Sequence, residues 1–206
     1  MTAFQRTPEW FKARCGSLTA SRAATAFARG KNGQKLKAYF DLIDEIVAER
    51  VTGETVSHFT SDAMKWGIEN EDDARFAYAM EQGVVVDEVG FIPHPEIKHL
   101  GASPDGLVGN DGLVEIKCPE TVTHLSYVRA KQVPDKYKPQ MLVQLLCTGR
   151  KWCDFVSYDP RLKGAYARLS QFCIRFTPTK EELDEAERLA KEFLQDVDDA
   201  LKELEM

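Results

Sequence analysis

Asp105, Glu115 and Lys117 fall in one short run, GASPDGLVGNDGLVEIKCP (Gly101 to Pro119), and bring together two carboxylates and an amine. Asp105 stands between Pro104 and Gly106, a turn-forming tripeptide that exposes the carboxylate at the start of a strand. Leu113 to Lys117, LVEIK, reads as a short buried strand. Strand side chains alternate faces, so Glu115 and Lys117 point one way while Val114, Ile116 and Cys118 point the other. A hairpin through Gly109-Asn110-Asp111-Gly112 folds Asp105 back beside them. Two carboxylate oxygens and a backbone carbonyl, completed by water, form a site for Mg²⁺. Such a site suits attack of water on a phosphodiester, because the ion acidifies the water and stabilises charge on the phosphoryl oxygens. Lys117 can orient the water or neutralise developing charge, and two neighbouring carboxylates keep it protonated. The same three residues also suit a surface hairpin with an ordinary ion pair.

Two flanking segments bear on that choice. Ser61 to Met80, SDAMKWGIENEDDARFAYAM, predicts a helix with Ser61 or Asp62 as N-cap. Met64, Ile68, Ala74, Phe76 and Ala79 approximate its apolar face, with Glu71 on the border. Glu71 either reaches the metal site or joins Glu69, Asp72 and Asp73 on a solvated acidic surface. Tyr137 to Gly149, YKPQMLVQLLCTG, predicts an apolar helix carrying Gln140 and Gln144 one turn apart, a pairing that points towards a polar site.

These segments share their order with a known family. RCGSLTAS (Arg14 to Ser21), MKWGIENEDDAR (Met64 to Arg75), SPDGLV, LVEIKCP, YKPQ…CTG and YDPR (Tyr158 to Arg161) make the chain resemble phage lambda exonuclease and the YqaJ-type viral recombinase nucleases. These belong to the PD-(D/E)xK superfamily, and the resemblance runs from about Trp10 to Phe176. It implies a restriction-endonuclease-like core and a 5′→3′ exonuclease acting on linear double-stranded DNA. It also implies dependence on Mg²⁺, with Mn²⁺ able to substitute and two ions per active site. A ring-shaped homotrimer and a partner single-strand annealing protein that takes the 3′ tail are implied as well. By position, Asp105, Glu115 and the Ile116 carbonyl correspond to the metal ligands, and Lys117 to the catalytic lysine. Glu71 corresponds to the helix carboxylate and Gln140 to the motif glutamine. Gln144 has no comparable claim, since the family's second glutamine falls where Leu142 stands. Arg14 and Ser21 match residues that bind the 5′-terminal phosphate, with Ser103 and Thr19 as helpers. Met64 falls where the family places an apolar wedge at the terminal base pair, although periodicity alone makes it a core methionine. Two alternatives are a restriction or repair endonuclease with the same site chemistry, and a DNA-binding module without catalysis.

The chain has 206 residues, a net charge of −6, 43% hydrophobic and 29% charged residues, the make-up of one soluble domain. A single nuclease domain over 1–206 is expected, its core at about 10–176 and a C-terminal amphipathic helix at 179–204. No run of 18 apolar residues and no signal-like segment occurs, so a cytoplasmic protein without membrane contact is expected. The five cysteines (15, 118, 147, 153 and 173) form no Cys-x-x-Cys pair, which argues against zinc, disulfides and an iron–sulfur cluster. His58, His94, His99 and His124 lack metal-ligand spacing, so surface or packing roles are expected.

Charge is polarised along the chain. Lys12, Arg14, Arg22, Arg29, Lys31, Lys35 and Lys37 occupy an acid-free stretch from Trp10 to Phe40. Lys180 to Met206 holds eleven acidic and four basic residues. The expectation is a cationic N-terminal segment facing DNA phosphates, with Arg29 and Lys31 as backbone contacts, and an anionic tail standing outside.

The elements that must position these groups are read from pattern and caps. Helices are expected over Pro8 to Arg14, Thr19 or Ser21 to about Ala28, and Lys35 to Arg50. Strands follow at Val84 to Ile92, His99 to Ala102, Gly106 to Val108 and Leu113 to Lys117. Thr121 to Ala130 and Lys136 to Thr148 read as helices, Trp152 to Tyr158 and Ala167 to Phe176 as strands. Thr179 with Glu182 forms a capping box for the last helix. The fold class is α/β, a central mixed sheet flanked by helices.

Overall fold

The computed structural model describes residues 5–56 and 61–204. His58 therefore lies outside the described residues. The chain opens with α1 (Pro8–Arg14), whose N-cap Thr7 accepts from the Trp10 amide while Pro8 occupies the first helical turn. Next come β1 (Leu18–Thr19), a 3₁₀ turn (Ala20–Arg22), α2 (Ala23–Phe27), α3 (Lys37–Thr52) and α4 (Asp62–Gln82). Four short strands follow, β2 (Val86–Asp87), β3 (Ile92–Pro93), β4 (Leu100–Ala102) and β5 (Gly106–Val108). Then come β6 (Gly112–Lys117), α5 (Thr121–Ala130), α6 (Lys138–Thr148), β7 (Trp152–Tyr158), β8 (Gln171–Phe176) and α7 (Lys180–Leu204).

The main sheet has strand order β2-β5-β6-β7-β8. Only β6 and β7 are parallel, and the α5–α6 crossover between them is the connection parallel pairing demands. A smaller sheet, β1-β4-β3, lies beside it. Residues of α5 and α6 cover one face of the main sheet, where Tyr127, Met141 and Leu145 pack on Leu113 and Phe155. Ala74 and Tyr78 of α4 cover the other, against Val114, Ile116 and Val156. The far side of α6 presents Val143 and Cys147 to a helical layer formed by α2, α3 and α7. Gly112 begins β6 because a Cβ there would meet the Trp152 ring at 2.1 Å. Thr179 and Glu182 exchange reciprocal hydrogen bonds at the start of α7, as the sequence predicts. All five cysteines are free thiols, with Cys118, Cys147 and Cys153 buried in the core.

Several expectations need correction. Val84 to Ile92 is not one strand, since Val86–Asp87 pairs with β5 and Ile92–Pro93 with β4 of the other sheet. Apolar pattern predicts extended chain but not the partner, so the crossing between sheets is invisible to it. Ala167 is not in a strand either. Gly164–Leu169 is a 3₁₀ turn whose Leu169 carbonyl lies 2.7 Å from His124 Nε2, and pairing starts at Gln171. Buried His124 thereby takes a packing role, while His94 Nδ1 accepts from the Glu96 and Ile97 amides.

The apolar face assigned to α4 is buried fully only at Ala74. Asn70, Ala74 and Tyr78 are its buried residues, whereas Met64, Ile68, Phe76 and Met80 are exposed. Polar Asn70 and Tyr78 are buried because each has a partner. Asn70 donates to the Trp66 carbonyl, and the Tyr78 hydroxyl donates 2.8 Å to Asp154.

The anionic tail does not stand apart. Helix α7 buries Ala186, Ala190, Phe193, Leu194 and Val197 at helical spacing. Its acids meet the cationic segment, Glu192 pairing with Arg29 and Lys35 and Asp196 with Lys35, while Asp198 pairs with Arg50 further along α3. The charge excess expected to face DNA is partly neutralised within the fold. Phe193 is fully buried with its ring centroid 5.0 Å from that of Tyr39. Phe193→Ala should destabilise the protein by about 3–5 kcal/mol, read as a lowered urea midpoint, with a loss under about 1 kcal/mol counting against this docking.

Candidate active site

Asp105 enters β5 directly after Pro104, and the Gly106↔Val114 register of the β5–β6 hairpin sets it beside the end of β6. Its Oδ2 accepts from the Ile116 amide at 2.6 Å, so the carboxylate serves the main chain as a carbonyl would. Glu115 is wholly buried beneath α6. Gln144 Nε2 donates to Glu115 Oε2 at 2.5 Å, and Lys117 Nζ lies 2.5 Å from Oε1. The Lys117 ammonium lies 5.2 Å from the Tyr137 ring centroid, and its side chain is 28% exposed, reaching the mouth of the site.

Electrostatics follow from this packing. Burial, then the charges of Glu115 and Glu71, push the Asp105 carboxyl well above its ordinary range, against the pull of Lys117 and the Ile116 amide. For Lys117 burial opposes protonation, yet the Glu115 and Asp105 charges prevail and raise its pKa. The site therefore carries a concentration of negative charge that one lysine does not fully satisfy.

Glu71 stands on α4 at the same cleft. A space of about 160 Å³ is lined by Gln5, Arg6, Glu71, Arg75, Glu88 and Asp105. Glu71 is held by Arg6 and by Arg75, the latter at 3.1 Å. Arg75 Nε also donates to the Asp105 carbonyl at 2.9 Å, tying the helix carboxylate to the strand carboxylate. Sequence reading missed Arg75, although its place one turn after Glu71 was the available signal. At the far end of β6, Arg161 of the YDPR motif bonds Asp159, Glu120 and the Pro119 carbonyl. It lies 4.5 Å from the Trp66 ring centroid and so pins the exit of β6 to α4.

These donors fit a hard divalent cation. Glu115 Oε1 is buried and faces the Lys117 ammonium at 2.5 Å, a charged contact without regular hydrogen-bond geometry. A buried carboxylate oxygen so placed calls for a cation. Among the described residues no group of three or more His, Cys, Asp or Glu converges to hold an ion alone. Asp105 and Glu115, with a main-chain carbonyl such as that of Ile116 and water to complete the shell, are the set that fits.

A second cluster lies close by. Arg14 donates to Thr19 Oγ1 and Ser21 Oγ, both at 3.3 Å, and the two hydroxyls lie 3.1 Å apart. Thr19 or Ser21 was expected to cap a helix; Thr19 stands at the N-cap of the 3₁₀ turn without a side-chain capping bond, and both hydroxyls face Arg14. The Arg14 guanidinium lies 4.1 Å from the Trp10 ring centroid, and Trp10 Nε1 donates to Ser103 at 2.9 Å. Burial, then the neighbouring Arg22 charge, push the Arg14 pKa down to about 10. Arg22 is paired with buried Glu49, whereas Arg14 pairs with no carboxylate among the described residues. This is a compact anion site of one guanidinium and hydroxyl groups. It opens on a cleft of about 880 Å³ whose walls include Phe11, Leu42 and Met64, the last 52% exposed. Ser103 and Asp105 are two residues apart, at most about 7 Å along the chain, so the anion site adjoins the carboxylates.

Other expected site residues are elsewhere. Arg29 spends its guanidinium on the Ala26 and Ala28 carbonyls and on Glu192, so it is not free to contact a DNA backbone. Lys31 remains exposed on its turn. Gln144, passed over in the sequence, is the glutamine that reaches Glu115, while Gln140 is only half-buried one turn earlier.

The chain aligns over 97% of its length, and 96% of the other, with the crystal structure of an alkaline exonuclease from Laribacter hongkongensis, at 40% identity and a TM-score of 0.88. The complex of that exonuclease with dAMP matches equally well, at 40% identity and a TM-score of 0.88 over 96% of both chains. A phage-related exonuclease from Haemophilus somnus 129PT shares the fold, with a TM-score of 0.69 at 14% identity over 91% of this chain and 96% of that one. No curated protein matches the sequence. Residues 9–151 match the YqaJ-like viral recombinase domain, and the chain belongs to that family.

Proposed function

We propose that this chain is a Mg²⁺-dependent deoxyribonuclease that degrades one strand of linear double-stranded DNA in the 5′→3′ direction from a 5′-phosphorylated end. The observation that carries the reading is the convergence of Asp105, buried Glu115 and Lys117, with one buried Glu115 oxygen facing only the Lys117 ammonium. Membership of the family and 40% identity to an alkaline exonuclease support it. When bound, Mg²⁺, or Mn²⁺ in its place, supplies an acidified water and a Lewis acid at the scissile phosphate, with two ions per site the fuller form. Asp105, Glu115 and the Ile116 carbonyl hold the ion. Lys117 holds its proton at the mouth of the site, where it orients the nucleophile or offsets charge on the phosphoryl group. Glu71, oriented by Arg75, completes the acidic rim.

Arg14, Ser21, Thr19 and Ser103 hold the 5′-terminal phosphate, which sets the polarity by placing the first phosphodiester over the carboxylates. Exposed Met64, on the same cleft, acts as the wedge that parts the terminal pair. The remaining strand becomes a 3′ tail for a single-strand annealing protein. A ring-shaped homotrimer, one nuclease domain per chain and a cytoplasmic setting complete the proposal. No helix among the described residues is long and apolar enough to cross a membrane.

Lys117→Ala should lower cleavage by about 100-fold or more while duplex binding in EDTA stays within a few-fold. Cleavage at the unaltered rate would remove the lysine from the mechanism. Arg14→Ala should erase the preference for 5′-phosphorylated over 5′-hydroxyl ends, and an unchanged ratio would reject the clamp. Digestion of linear duplexes labelled at one end, with Mg²⁺ or EDTA, tests the whole reading. Loss of 5′ label only, only with metal, and no cutting of closed circles is expected. Cutting of circles would point to an endonuclease.

A further inference from the structure

Gln144 occupies an unusual position for an amide. Its neighbours on α6, Met141, Val143, Leu145 and Cys147, are buried and apolar, and Gln144 itself is completely enclosed. Burying an amide is costly unless its polar atoms are bonded. Nε2 meets this condition by donating to Glu115 Oε2 at 2.5 Å, while Oε1 has only the weak Cys153 thiol at 3.9 Å. The helix therefore gives up an apolar contact for one hydrogen bond, and that bond goes to the most deeply buried carboxylate of the site.

We infer that Gln144 is a positioning residue: it fixes one oxygen of Glu115 so that the other, Oε1, is presented to a divalent cation. The inference rests on the metal-site reading above and assigns a role to a residue outside it. Three features favour it. The two Glu115 oxygens are unequal, Oε2 bonded by the neutral amide and Oε1 facing only charge, the Lys117 ammonium at 2.5 Å without regular hydrogen-bond geometry, which is the asymmetry that one-sided presentation requires. An amide is a neutral donor, so it orients the carboxylate without adding a second positive charge to repel the cation, as an arginine or lysine would. Lys117 cannot do this alone, because its ammonium lies on the Oε1 side that the cation needs. Groups that orient a ligating carboxylate from behind contribute substantially to affinity, and their loss weakens metal binding by about 10- to 100-fold.

The test is calorimetric titration of Mg²⁺, and separately of Mn²⁺, into the whole protein without DNA. Gln144→Met keeps the length and apolar fit of the side chain and removes the donor. It should weaken ion binding by about 10- to 100-fold, while duplex binding in EDTA is unchanged. Should Gln144→Met fail to fold, Gln144→Asn, which keeps an amide but falls short of Glu115, carries the same comparison. Unchanged ion affinity in a folded variant, or loss of fold in both, overturns the inference and makes Gln144 a structural residue. If the wild-type protein takes up no ion, the metal-site reading fails and this inference falls with it. Uptake by the wild type with equal affinity in Gln144→Met removes this inference alone.

Discussion

The hydrogen bond from the Ile116 amide to the Asp105 carboxylate is the constraint on which the rest of the site depends. It closes the β5–β6 hairpin with a side chain where a main-chain carbonyl would otherwise serve, and so holds two acids against their mutual repulsion. Burial beside Glu115 raises the Asp105 pKa, a cost that the surrounding structure must offset. The Lys117 ammonium and the Ile116 amide supply the offset at Asp105, while Gln144 bonds Glu115. The strain of like charge is concentrated where a cation would relieve it.

The layers serve that arrangement. Helix α6 lies between the sheet and the layer of α2, α3 and α7, so the glutamine it offers to Glu115 cannot withdraw. Helix α4 covers the opposite face and carries Glu71 and Arg75 to the end of the strands, with Tyr78 fixed to Asp154. The smaller sheet has its own function. Parallel pairing of Leu18 with Leu100 and Thr19 with Gly101 carries the Arg14–Ser21 segment alongside the strand that leads into Ser103 and Asp105. The Arg14 cluster and the carboxylates are thus brought side by side by one small sheet, as the proposed degradation from a phosphorylated end requires.

Much of this was legible in the sequence. Alternation along LVEIK set Glu115 and Lys117 on one face, and the Gly109–Gly112 turn marked the hairpin that brings Asp105 back to them. Caps and periodicity located the long helices, including the reciprocal Thr179–Glu182 box. What pattern could not supply was pairing. The face that α4 buries joins small Ala74 to Asn70 and Tyr78, whose polar groups find partners, and leaves its larger apolar residues Met64, Ile68 and Phe76 exposed. Likewise, linear charge segregation says nothing of Arg29 and Lys35 folding onto Glu192. Gln144 over Gln140 was a matter of a helix's rotation against a sheet, which spacing along one element leaves undetermined.

The most direct test of the account is the location of a bound ion. Crystals soaked in Mn²⁺ should give one or two anomalous peaks in contact with both the Asp105 and the Glu115 carboxylates. A well-occupied peak elsewhere with those oxygens bare, or none at any soak concentration that supports cleavage, would contradict it.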